Sequence, residues 1–298
     1  MSQRIKLLFI AILVLSVSVV AVAQDYSQVE INTVQVSDNI YMLQGAGGNI
    51  GICVGDDGVF MIDDQFAPLN EKIMAAVAAV SDKSVKFLLN THWHGDHTGG
   101  NEPIGKTGAV IVAHDNVRKT LTEDQFVEFF NMTTPASSKV ALPVVTFTDA
   151  VTFHFNNEEI YAYHVEPSHT DGDAVVHFKN ANVVHAGDIY FNGTYPFIDI
   201  DHGGSVDGLI RVAKRLLSVV DNETKVISGH GTLGDKADFE KYVHMLTTIR
   251  DRVRSMVDEG KSFEEVLAAN PTVEFDETYS TFINAEGFLS VVYKDLAN

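Results

Sequence analysis

The sequence predicts an α/β chain in which two packed β-sheets are covered by helices. Three observations predict it. Strand-length apolar runs and helical patterns follow one another in two successive groups. Val59–Ile62 is apolar throughout, as a strand buried on both faces should be. No internal repeat, low-complexity run or interdomain linker breaks the chain, so the two groups belong to one domain, residues 24–298.

The elements follow in order. Residues 1–23 read as a cleaved secretory signal: Arg4 and Lys6, an apolar run from Leu7 to Val20, and the small-residue site Ala21-Val22-Ala23. That run is shorter than the roughly 20 residues a membrane-spanning helix needs. No Cys follows it, so no lipid anchor is expected, and the mature chain should be periplasmic or secreted. Residues 34 to 65 read as short strands, Ile40–Leu43, Ile50–Val54 and Val59–Ile62, with a hairpin at Asp56-Asp57-Gly58. Leu69–Val80 has helical spacing, and Val85–Leu89 is a strand running into a His-rich loop. After a strand at Val110–Ala113, Thr122 with Gln125 has the spacing of a capping box opening a helix through Phe130, and residues 132 to 143 read as loop.

The second group starts with strands at Val151–Phe155, Ile160–Val165, Ala174–Phe178 and Val183–Ala186. A loop over 189 to 204 leads to a helix near Val206–Val219 and a strand at Lys225–Ser228. Helices are expected over 235–259, after Ser262 with its partner Glu265, and over 281–296.

Composition narrows the function. The chain carries 21 Lys and Arg against 40 Asp and Glu, a formal net charge of −19. Such a charge repels nucleic acid and anionic lipid, so a small-molecule substrate is expected, with no nucleic acid and no membrane after signal cleavage. The lone Cys53 can form no intrachain disulfide and reads as a small buried hydrophobe.

The informative segment is Thr91-His92-Trp93-His94-Gly95-Asp96-His97-Thr98-Gly99-Gly100. Its imidazoles and carboxylate cannot all face one point on a regular helix or strand. On a turn broken by Gly95 they can divide between two adjacent centres, and imidazole with carboxylate suits zinc at about 2.0–2.2 Å. A solvated surface His cluster is the plainer explanation, but three later segments repeat the pattern: Ser168-His169-Thr170, Ala186-Gly187-Asp188 and Gly229-His230-Gly231. Each follows a strand, as a site built on the rims of two sheets requires.

Together these motifs resemble the metallo-β-lactamase superfamily over roughly residues 34 to 260. The resemblance implies a four-layer αβ/βα sandwich with a metal site at the edge between the sheets. It also implies one ion on His92, His94 and His169, a second on Asp96, His97 and His230, and a bridging Asp188. Asp63 would orient a ligand His, though a strand-ending turn residue would look the same. Two Zn2+ are expected, with Fe or Mn also compatible. Two cations lower the pKa of water enough for a bridging hydroxide to attack a carbonyl, so no Ser or Cys nucleophile is needed, and the resemblance implies that Asp96 orients that hydroxide.

The remaining His residues, 114, 154, 164, 177, 185 and 244, read as packed or surface side chains, while His202 could face the pocket. The Asp pairs 171/173 and 199/201 read as turns, and Arg250, Arg252 and Arg254 as a solvated helix face. Phe126, Phe129, Phe130 and Met132 have the spacing of a core-facing helix stripe, although the resemblance puts substrate-covering structure in this stretch. Tyr190, Asn192 and Tyr195 are candidate oxyanion or substrate donors.

The leading reading is therefore an exported dinuclear hydrolase of an ester, lactone, thioester or amide. The resemblance places Asp188 with the ester and thioester hydrolases of the superfamily. Its β-lactamases carry Cys or Ser there, and some hold the drug's carboxylate with a Lys where Phe191 stands. A β-lactamase is the alternative, and a non-hydrolytic metal-binding protein the reading from outside the enzymes.

Overall fold

A computed structural model describes residues 25–297; the signal-peptide reading of residues 1–23 lies outside the described residues. Two sheets form the centre. The first has seven strands in the order Asn32–Gln35, Ile40–Gln44, Ile50–Gly55, Gly58–Ile62, Val85–Leu89, Val110–His114 and Val145–Phe147. Its early strands pair antiparallel as hairpins, and from Gly58–Ile62 onward the pairing is parallel through helical crossovers. The second has six: Ala150–Phe155, Glu158–His164, Ala174–Phe178, Val183–His185, Lys225–Ile227 and Gly234–Asp235.

Alternation along the strands assigns the layers. In Gly58–Ile62, Val59 and Met61 point to helix Asn70–Val80, where they meet Leu69, Ile73 and Val77. Phe60 and Ile62 point the other way, into the gap between the sheets, and pack with Cys53, Leu89, Ile160, Val176 and Phe178. The outer face of the second sheet presents Val175, Val184 and Val226 to helices Val206–Val219, Lys236–Asp258 and Ala285–Ala297. The result is helix, sheet, sheet, helix: the expected αβ/βα sandwich. Cys53 is fully buried in the inter-sheet core.

Helix ends obey their capping residues. Ser205 accepts from Gly208 N (3.2 Å), Asp235 from Asp238 N (3.0 Å), and Ser262 and Glu265 form the reciprocal box read from the sequence. Along helix Val206–Val219 the buried Leu209, Val212, Ala213 and Leu216 recur at helical spacing, and truncating either Leu to Ala should cost about 2–5 kcal/mol. No helix among the described residues is long and apolar enough to cross a membrane.

Three expectations fail. The helix expected over 122–130 is instead the end of helix Asp115–Leu121 followed by a hairpin, Gln125–Val127 paired with Met132–Thr134. Gln125 does not reach back to cap a helix start. Its amide donates to the Thr120 carbonyl (2.9 Å), closing the preceding helix, and Asn131 turns the chain at φ 47°. The loop read over 132 to 143 accordingly contains a strand and a short helical turn, Lys139–Ala141. Arg250, Arg252 and Arg254 are not a free solvated face: they pair with Asp207, Glu274 and Asp207 respectively, tying helix Lys236–Asp258 to its neighbours.

Candidate metal centre

Four strand ends supply the site. Strand Val85–Leu89 runs through Asn90 and Thr91 to His92 and His94, and a single helical turn, Gly95–Thr98, carries Asp96 and His97. Asp63, just past Gly58–Ile62, holds this segment by accepting from Thr91 N and Thr91 Oγ1, each at 2.7 Å. The loop after Glu158–His164 delivers His169. It is wound around the buried Asp173, which accepts from Ser168 Oγ, His169 N, Thr170 N and Thr170 Oγ1 at 2.6–2.9 Å. Asp188 follows Val183–His185, and His230 follows Lys225–Ile227.

Two groups result. His92, His94, His169 and Asp188 offer ligand atoms within 4.8 Å of one another, as do Asp96, His97 and His230. Asp188 borders both groups. Its oxygens lie 3.4 Å from His169 Nε2, 3.2 Å from His97 Nε2 and 3.5 Å from His230 Nε2. The structure thus brings together all seven residues singled out in the sequence.

Hydrogen bonds on the far side of the rings set what the near side can do. His94 Nε2 faces Asp199 Oδ2 (2.8 Å), His169 Nδ1 faces the Phe197 carbonyl (2.8 Å), and His97 Nδ1 faces Asp63 Oδ2 (2.7 Å). Each acceptor requires a proton on that nitrogen, which leaves the other nitrogen of a neutral ring a lone pair. Those lone pairs converge: His94 Nδ1 is 2.9 Å from His169 Nε2 and 3.1 Å from His92 Nε2. Asp188 Oδ1 is buried without a well-aligned donor. Clustered lone pairs and an orphaned carboxylate oxygen fit bound cations, so the donor set passes the test for metal.

The carboxylates and imidazoles of the ring act strongly on one another. Burial disfavours charge on Asp188, but His97, His230, His169 and His92 outweigh it and hold the carboxyl well below the usual range. Asp96 is lowered against its burial by His97 and His230. Burial likewise opposes charge on His97 and His230. The surrounding Asp188 and Asp96 prevail, raising His97 well above an ordinary imidazole and His230 to about 9. His92 goes the other way, pushed well down by burial and by the neighbouring His97. Glycines wall the ring from behind: a Cβ on Gly48 would fall inside the His97 imidazole, and one on Gly229 onto Asp188 Oδ1.

A sequence profile of the metallo-beta-lactamase superfamily matches residues 43–230, which span all seven of these residues. The chain belongs to the metallo-beta-lactamase superfamily. Among its relatives is a hydroxyacylglutathione hydrolase of Nitrosococcus oceani, 24% identical over 211 residues, 67% of this chain and 70% of that protein. A metallo-beta-lactamase from Pontibacter korlensis superposes with a TM-score of 0.60 at 17% identity, over 73% of this chain and 99% of its own. The sec-alkylsulfatase Pisa1 from Pseudomonas sp. superposes with a TM-score of 0.67 at 16% identity, over 89% of this chain and half of its own. Like its superfamily relatives, the protein is a metal-dependent hydrolase.

Within this superfamily fold, a cavity of about 750 Å³ opens over His94, Asp96, Asp188 and His230. Phe130 and Met132 line it and are partly exposed, so the expected core stripe is a wall of the mouth; Phe126, at 51%, faces solvent. The hairpin explains this, because its residues alternate in facing: Val127 turns into the core while Phe126 turns to solvent. Tyr190 and Tyr195 do not serve as substrate donors. Tyr190 is buried against Phe239 and Tyr242, and Tyr195 donates to Asp276 (2.8 Å). Asn192 lines the cavity but gives its amide to Thr232. His202 does not reach the cavity wall; it pairs with Asp199 (2.8 Å).

Asp199 is the residue the sequence reading missed. It is buried, orients His94 and accepts from His202, and these two histidines pull its carboxyl down against burial. Asp173, also read as a turn, anchors the His169 loop. His185 is a packed residue as expected, bonded to the Asn49 carbonyl (3.1 Å).

Proposed function

We propose that the protein is an exported hydrolase with two zinc ions that cleaves a carbonyl substrate: an ester, lactone, thioester or amide. One ion would sit on His92, His94 and His169 and the other on Asp96, His97 and His230, with Asp188 shared. The observation that carries this reading is the position of Asp188 between two converging donor groups. The hydroxyacylglutathione hydrolase relative supports acyl chemistry, and the signal-like N-terminus supports export of a domain spanning residues 24–298.

When bound, such ions supply Lewis acidity, lowering the pKa of water and polarising a substrate oxygen. The chain supplies the rest. Of the two ring carboxylates that line the cavity, Asp96 is the more open, its side chain 27% exposed against 5% for Asp188, and its Oδ2 lies 3.2 Å from His230 Nε2. From there it accepts a hydrogen bond from the attacking water and orients it toward the substrate. Asp63, Asp199 and the Phe197 carbonyl keep three rings in one tautomer.

Elemental analysis of the purified mature protein, followed by a panel of esters, lactones, thioesters and β-lactams, tests the proposal. Two zinc per chain with turnover of acyl substrates is expected; iron or manganese would redirect the metal assignment. Nitrocefin hydrolysis as the dominant activity would favour the β-lactamase reading, against which Phe191 stands. Fractionation of the producing cells checks export.

A further inference from the structure

The cavity has two ends of opposite character. Its floor holds His94, Asp96, Asp188 and His230. The apolar part of its walls is Phe66, Phe130, Met132, Phe191, Phe197 and Phe282, drawn from four separate segments of the chain, and the neutral polar Gln44, Thr134, Asn192 and Thr281 also line it. Phe191 and Phe282 lie nearly parallel to the His230 ring, at 5.1 and 6.2 Å between centroids. Phe130 closes on Phe197 at 4.9 Å and on Phe282 at 6.4 Å. Among the described residues, no Lys or Arg lines the cavity.

We propose that the substrate is uncharged away from its scissile bond and carries an extended apolar acyl or alkyl tail, which lies along this aromatic wall. The proposal rests on the hydrolase reading above and names its substrate class. The physical case is one of solvation. An apolar tail leaving water for these six side chains gains with every methylene buried. A carboxylate at the far end of the same tail would lose its water against phenyl rings and a thioether, with no cation to replace it. Molecules built around a distal carboxylate, such as glutathione conjugates, are therefore poor substrates. The volume, about 750 Å³, matches cavities that enclose a whole small organic ligand rather than a short acyl group.

Three p-nitrophenyl esters of the metal-loaded enzyme's assay separate the cases: the acetate, the octanoate and the half-ester of octanedioic acid. The octanoate should exceed the acetate in kcat/KM by on the order of 1,000-fold, since each of the six added methylenes, once buried, is worth about three- to fourfold. The half-ester should fall about 100-fold below the octanoate, because its carboxylate finds no partner. A half-ester cleaved as well as the octanoate, or an acetate cleaved best, overturns the proposal. Met132→Lys places a cation at a position already 46% exposed, so folding should be unaffected. It should narrow the gap between octanoate and half-ester by about tenfold, the effect of one nearby opposite charge; an unchanged gap counts against the proposal.

A binding readout separates this claim from the hydrolase reading. Trp93, the only tryptophan of the chain, lines the cavity. Octanamide should change its fluorescence saturably, and acetamide should not. Saturable octanamide binding without cleavage of any ester would sink the hydrolase reading and uphold the apolar tail site. Cleavage without octanamide binding would do the reverse.

Discussion

The floor and the mouth of the cavity are built on different principles. At the floor, His92, His97 and His169 are essentially inaccessible, and Asp63, Asp199 and Asp173 tie the rings or their loops to backbone. At the mouth, Phe130, Met132 and Phe282 are 41–66% exposed on a two-stranded hairpin and a C-terminal segment, whose side chains meet through the Phe130–Phe282 ring contact. Buried polar groups admit one arrangement, because any other leaves a charge or a lone pair unpaired. Exposed apolar contacts admit many. The chemistry is thus fixed where the chain cannot vary, and selectivity lies where it can.

Perturbations should grade accordingly. Removing metal is the harshest, leaving Asp96, Asp188 and their histidines without cations. Chelator-treated protein should lose all turnover and melt roughly 5–10 °C lower than protein held at a 100-fold excess of zinc over Kd, reversibly. An unchanged melting curve would mean the ring is not held by metal. Asp188→Ala comes next: turnover should fall at least about 10³-fold with metal content, since a shared ligand serves both ions. Wild-type activity in this variant would dissolve the contrast between floor and mouth.

Asp199→Asn keeps the shape but loses the charge behind His94, and zinc affinity should weaken about 10–100-fold by competition titration. At the mouth, Phe130→Ala should raise KM a few-fold for a long-tailed ester. Metal content should hold, and stability should change by no more than about 0.5 kcal/mol, as for exposed sites generally. A collapse of metal binding there would show the two ends to be coupled. The smallest effect is expected from Tyr190→Phe, which removes a buried hydroxyl without a hydrogen-bond partner. Its kcat should match the parent's, and a large fall would restore Tyr190 as a substrate donor.

The floor was readable because its information is local. His92 to His97 lie within one turn broken by Gly95, and each later ligand stands directly after a recognisable strand or a short loop beyond one. The sandwich was readable for the same reason, through runs such as Val59–Ile62 and Ala174–Phe178 whose pattern matches their burial. The mouth was not. Thr122 and Gln125 have the spacing of a helix start, and only the tertiary position of the Thr120 carbonyl turns Gln125 to the preceding helix. Asp199 escaped because its partner His94 lies 105 residues away, and a loop aspartate with a distant partner has the same sequence signature as one in a turn. Helix Asn101–Lys106 was overlooked because Pro103 and Gly105 suggest a break, although Pro is tolerated in a first turn.

The glycines packed behind the ring carry a consequence for how this protein can evolve. Gly48 and Gly229 bear no functional group, yet a methyl at either would displace His97 or Asp188. In a saturation library they should tolerate replacement as poorly as the histidines themselves. The heritable constraint on the centre therefore extends to empty space, and lineages that change substrate are expected to do so by rewriting the hairpin while these two positions stay bare.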